Sequence, residues 1–111
     1  MNKHQQEALA KNEAFFRNVN ETIARSAAPL YAPTEQITFV CECANASCSD
    51  PITLARSEYE AVRGDGSTFA IVVGHDMEEA ETVVEQHQHY CVVRKIEHAR
   101  KVAQEMDPRQ H

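Results

Sequence analysis

Three cysteines fall within eight residues in the stretch FVCECANASCSD, from Phe39 to Asp50. Thiolate sulfur and imidazole nitrogen are the ligands zinc prefers, four at a time in a tetrahedron. In an extended segment, residues two apart point to the same side. Cys41 and Cys43 can therefore direct both sulfurs at one ion without bending the chain. Cys48 returns after ANAS, whose small side chains let the backbone curl around an ion. The spacing C-x-C-x4-C supplies three ligands and leaves a fourth to be found.

His75 is the leading fourth ligand. It follows the apolar run TFAIVV, with Gly74 before it to relieve the turn. Cys91 competes, but it sits between Tyr90 and Val92 in an apolar strand, where free cysteine serves as a small hydrophobe. His87 and His89 are further alternatives. The set Cys41, Cys43, Cys48 and His75 predicts a structural zinc (Zn2+) site of Cys3His type. The bland alternative, incidental thiols, explains three cysteines on a hydrophilic loop poorly. A sharper rival is a thiol-based redox or zinc sensor, in which Cys41, Cys43 and Cys48 oxidise to a disulfide and release the ion.

Catalysis is not expected. Glu42, between two cysteines, invites comparison with the proton-handling glutamate of zinc deaminases, but the accompanying H-x-E and distant C-x-x-C are missing. Four protein ligands would also leave no position for a metal-bound water. No nucleophile elbow, P-loop or dinucleotide fingerprint occurs. Asp76, Glu78, Glu79 and Glu81 read as a solvated acidic turn.

These residues need elements to hold them. Lys3 to about Ala28 reads as a helix, with Leu9, Phe16, Val19 and Ile23 in one apolar stripe and Phe15 on its shoulder. Such a stripe packs on its own domain or serves a partner surface. Pro29 and Pro33 end the helix and open a linker over residues 29–36. Ile37 to Cys43 reads as a strand delivering the first two thiols. ITLA then leads into a short helix, SEYEAVRG, with Ser57 as its N-cap. Gly64 and Gly66 flank Asp65 in a turn, and Thr68 to Val73 is a buried strand. TVVEQ and YCVVRKI flank HQH as a hairpin, and a last helix runs from Glu97 to about Met106. The order predicts an α+β fold: a small mixed or antiparallel sheet with N-terminal, middle and C-terminal helices, stabilised by zinc. Residues 1–111 form a single domain on this reading, with 1–28 as the helix and 37–111 as the core.

A chain of 111 residues buries a thin core, which a bound ion would reinforce. The formal net charge of -6 argues against general nucleic-acid binding, which needs a basic surface. The basic cluster Arg94, Lys95, Arg100 and Lys101 reads as a solvated strand end and helix face. No apolar run approaches the roughly 18 residues of a membrane span. The N-terminal stretch lacks the apolar core and cleavage site of a signal peptide. The expectation is a cytoplasmic protein, where four reduced cysteines point to metal or redox chemistry.

NEAFFRNVNETI, FVCECANASC, LARSEYEAVR, VVGHD, VVEQHQHYCVVRK and DPR together resemble a group of small uncharacterised bacterial proteins. Their pattern has an N-terminal helix, a C-E-C segment with a third cysteine, an E-Y-E-x-V-R helix and a G-H motif after a strand. The resemblance covers nearly the whole chain and places Cys41, Cys43, Cys48 and Gly74-His75 on recurring positions. Val73 stands where that pattern has proline, and Cys91 where it has an ordinary strand residue. The resemblance implies no activity. The expected function is therefore regulatory, through contact with another protein or self-association by the N-terminal helix.

Overall fold

The computed structural model describes residues 2–109. Helix α1 spans Lys3–Ala27, begun by a capping box in which the Asn2 side chain accepts the Gln5 N–H and the Gln5 side chain accepts the Asn2 N–H. Strands β1 (Gln36–Val40) and β2 (Pro51–Ala55) pair antiparallel as one sheet. Helix α2 (Arg56–Val62) follows without a break. Strands β3 (Thr68–Ile71), β4 (Glu81–Gln86) and β5 (Cys91–Lys95) form a second antiparallel sheet in the order β3-β5-β4. Helix α3 (Glu97–Glu105) closes the chain against α1. The fold is α+β, with the expected three helices.

Three local expectations need correction. ITLA does lead into α2, but as a strand: Pro51–Ala55 pairs with β1, so the thiol loop is the connection of a β1–β2 hairpin. Ser57 is not the N-cap. Ala55 occupies that position, and the Glu58 carboxylate accepts its N–H at 2.8 Å. Ser57 lies inside the first turn, where its N–H donates to the Pro33 carbonyl at 3.0 Å. The cysteines also lie just past β1, which ends at Val40, not within it.

The buried face of α1 is the larger surprise. Leu9, Phe16, Val19 and Ile23 are only half-buried, and Phe15 is exposed. The residues turned inward are Gln6, Ala10, Glu13, Ala14, Arg17, Asn20, Glu21, Ala24 and Ala27. Alanines let the helix approach its neighbours closely, and the long polar side chains reach across to specific partners. Arg17 donates to the carbonyls of Gly66 and Ala103 at 2.8 and 3.0 Å, with its guanidinium over the Phe69 ring. Lys95, wholly buried, bridges Glu13 and Glu81. Arg63 bridges Glu21 and Asp107. The apolar core lies beneath this layer: Phe39 stacks on Tyr59, with Ile52, Leu54, Phe69, Ile71 and Val93 around them.

Candidate metal centre

Past Val40, where β1 ends, successive backbone N–H groups still find partners on opposite edges of the chain, as in a strand. Cys41 N–H donates to the Asp50 carbonyl of the hairpin at 2.9 Å. Glu42 N–H donates to the Ala70 carbonyl of β3, also at 2.9 Å. Alternation then sends Cys41 and Cys43 to one side and Glu42 to the other. The Cys48 N–H donates to the Asn45 carbonyl at 3.0 Å, and the Ser47 N–H to the Asn45 side chain at 2.9 Å. This tight turn brings the third sulfur back.

His75 arrives from the end of β3. Gly74 has φ of +92°, a conformation that favours glycine, and the His75 N–H donates to the Val72 carbonyl at 3.0 Å. The imidazole Nδ1 lies 3.5 Å from Cys41 Sγ and 3.8 Å from Cys48 Sγ. Ligand atoms from Cys41, Cys43, Cys48 and His75 all lie within 4.8 Å of one another. A zinc tetrahedron built on ordinary Zn–S and Zn–N bonds has edges of roughly 3.6–3.8 Å. The four groups therefore fit a metal ion, and the expected set converges.

The surroundings suit that chemistry. Cys41 Sγ accepts the Val72 N–H at 3.2 Å. Burial nevertheless pushes the Cys41 and Cys43 thiols upward, so without a cation they hold their protons at neutral pH. Ion binding must displace those protons. On the far side of the imidazole, Nε2 faces the Asp50 carboxylate at 3.7 Å. A carboxylate behind the non-ligating nitrogen is a common orienting device for metal-bound histidine.

Cys91 stands apart from this group. It is buried in β5 opposite Ile71, with the Gly74 N–H against its sulfur, as a core side chain would be. His87 stacks on Tyr90 and sits 2.9 Å from Glu85, and neither it nor His89 joins the cluster.

Sequence reasoning missed the residues behind the ligands. Glu42 is wholly buried, and its carboxylate accepts hydrogen bonds from Asn20 Nδ2 (2.8 Å), Tyr59 OH (2.7 Å) and Ala70 N–H (2.9 Å). Burial raises its pKa, while these three donors work against the rise. A usable signal existed: asparagine is a poor helix former, and Asn20 sits mid-helix between Val19 and Glu21. Asp50, next to Pro51, gave no comparable hint. No protein-family model, curated protein or solved structure matches this chain.

Proposed function

We propose that this chain is a cytoplasmic zinc protein with a structural Cys3His centre, acting in regulation through contact with another protein. One observation carries the metal reading: four separate ligand atoms, three sulfurs and a nitrogen, converge within 4.8 Å. Three thiolates with an imidazole favour zinc over harder cations such as magnesium or calcium. A filled four-ligand set leaves no open position, which favours a structural role over catalysis. The ion would tie the hairpin loop to the end of β3, supplementing a thin core. The partner reading draws on apolar groups left at the surface, notably Phe15, Leu30 and Tyr31. No helix among the described residues is long and apolar enough to cross a membrane.

The test is elemental analysis of protein purified without chelator. The expected result is one zinc per chain, and a content far below stoichiometric would overturn the reading.

A second reading, a redox or zinc sensor, has its own observation. Cys48 and His75 are only half-buried, and a cavity of about 260 Å³ lined by Cys43, Asn45, His75 and Met77 opens beside the cluster. Such access would admit peroxide to the thiols. Zinc release with a reversible disulfide under mild peroxide would favour the sensor, and retention of zinc the structural site.

A further inference from the structure

We infer that Asn20 and Glu42 are positioning residues of the metal centre, so that the thiol site is complete only with α1 docked. The inference rests on the metal reading above and goes beyond it by extending the site to the N-terminal helix. Asn20 lies 20 residues before Val40 in sequence, yet its amide does for Val40 what a neighbouring strand would. Its Oδ1 accepts the Val40 N–H at 2.9 Å, and its Nδ2 donates to the Val40 carbonyl at 2.8 Å. That pins the backbone one residue before Cys41. The same Nδ2 donates to Glu42 Oε2 at 2.8 Å, one residue after it.

Glu42 then fastens the segment to β3 at two points. Its N–H donates to the Ala70 carbonyl, and its Oε1 accepts the Ala70 N–H, both at 2.9 Å. Because side chains alternate along extended backbone, holding Glu42 on one face fixes Cys41 and Cys43 on the other. Ala70 belongs to the strand that leads to His75, so the clamp also sets the distance between the two ligand-bearing segments. Tyr59 OH, at 2.7 Å from Oε2, completes the carboxylate's partners. A residue needed only for packing would be better apolar, since a buried charge is costly to desolvate. A carboxylate satisfied by three elements, between two ligands, serves geometry instead.

The experiment uses the full chain, with zinc affinity from chelator competition and the absorption spectrum of the Co2+ form as a signature of ligand geometry. Asn20→Ala and Glu42→Ala should weaken zinc roughly ten- to a hundredfold and alter the Co2+ spectrum. Val102→Ala, which trims a buried side chain in α3, should lower the melting temperature but bind zinc and Co2+ as the wild type does. Tyr59→Phe removes one hydrogen bond from Glu42 while keeping the ring stack on Phe39. It stays informative if the alanine variants do not fold, and a severalfold weakening is expected. Wild-type binding and spectra in Asn20→Ala and Glu42→Ala, or in Tyr59→Phe where those do not fold, would overturn the inference and leave the metal reading standing. Weakening matched by Val102→Ala would overturn it too, as an effect of stability alone. A wild-type protein that binds neither ion would overturn the metal reading itself.

Discussion

The thiol cluster and the charged interface beneath α1 both bury polar groups, by opposite means. At the cluster, three sulfurs and one imidazole converge so that they could hold a cation from outside. Beneath α1 the chain brings its own cations. Lys95 serves Glu13 and Glu81, and Arg63 serves Glu21 and Asp107. Arg109 extends the second group to Glu60 at 2.6 Å, tying the DPR segment to α1 and α2. On the metal reading proposed above, the first arrangement would depend on supply of an ion and be reversible by a chelator. The second is a permanent part of the fold, and the chain can lose it only by mutation or titration.

The largest effect should come from emptying the cluster. With free zinc about a thousandfold above Kd, binding contributes about 4 kcal/mol to stability. For a domain of this size that corresponds to a melting shift of roughly 15 °C or more. Cys41→Ser, Cys43→Ser, Cys48→Ser and His75→Ala should each lose the metal and most of that increment, read by elemental analysis and calorimetry. Cys91→Ser should keep the zinc and cost only about 1–2 kcal/mol, because it swaps a buried sulfur for a hydroxyl. A Cys91 variant that loses the ion while the His75 variant retains it would reassign the fourth ligand.

Breaking the charged interface should come next. Arg63→Met leaves the Glu21 and Asp107 carboxylates without the guanidinium between them. Removing one partner of a buried ion pair costs about 3–5 kcal/mol, and Arg109 still offsets part of this through Glu21. A net loss of about 3 kcal/mol is expected in urea unfolding, with zinc content unchanged. Loss of zinc in that variant would show the two regions to be one cooperative unit, and the comparison would fail.

The two regions also differ in how far they could be read from the sequence. The cluster was legible because ligand chemistry restricts residue type: C-x-C in an extended segment, a short return to Cys48, and Gly-His after a strand. The charged interface was not. Arg17, Arg63 and Lys95 resemble any surface cations in sequence, and their partners, carbonyls for Arg17 and carboxylates for the other two, lie as many as 86 residues away. The apolar stripe of α1 drew attention to the wrong side of that helix, because burial there is decided by alanine and by paired charges. ITLA, residues 52–55, does not read as a strand because Pro51 stands directly before it. Yet Val40, opposite Pro51, spends its N–H and carbonyl on Asn20, so the ladder needs no N–H from the proline. The boundaries of α1 and α3, the β4–β5 hairpin and the α+β class followed from periodicity and breakers, which act locally.

The smallest effect, and the one that changes sign of advantage with pH, concerns Glu13. Its carboxyl shares the single Lys95 ammonium with Glu81 inside the fold. Burial raises the Glu13 pKa well above its ordinary value of 4.5, the Glu81 charge adds to the rise, and Lys95 opposes it. Between the unfolded and the raised folded value, the folded state holds a proton that the unfolded chain has released. Stability from this group is fully present below the unfolded value and is lost as pH rises through the folded one. Glutamine cannot titrate and keeps an oxygen for Lys95. Glu13→Gln should thus match or fall slightly below the wild type near pH 4.5, then gain on it as pH rises. The gain is bounded by about 1.4 kcal/mol per pH unit across the window between the two values. Urea unfolding of both proteins from mild acid to pH 8, with zinc saturating, gives the difference directly. Parallel curves would mean that Glu13 is ionised in the fold, with Lys95 balancing two carboxylates at once.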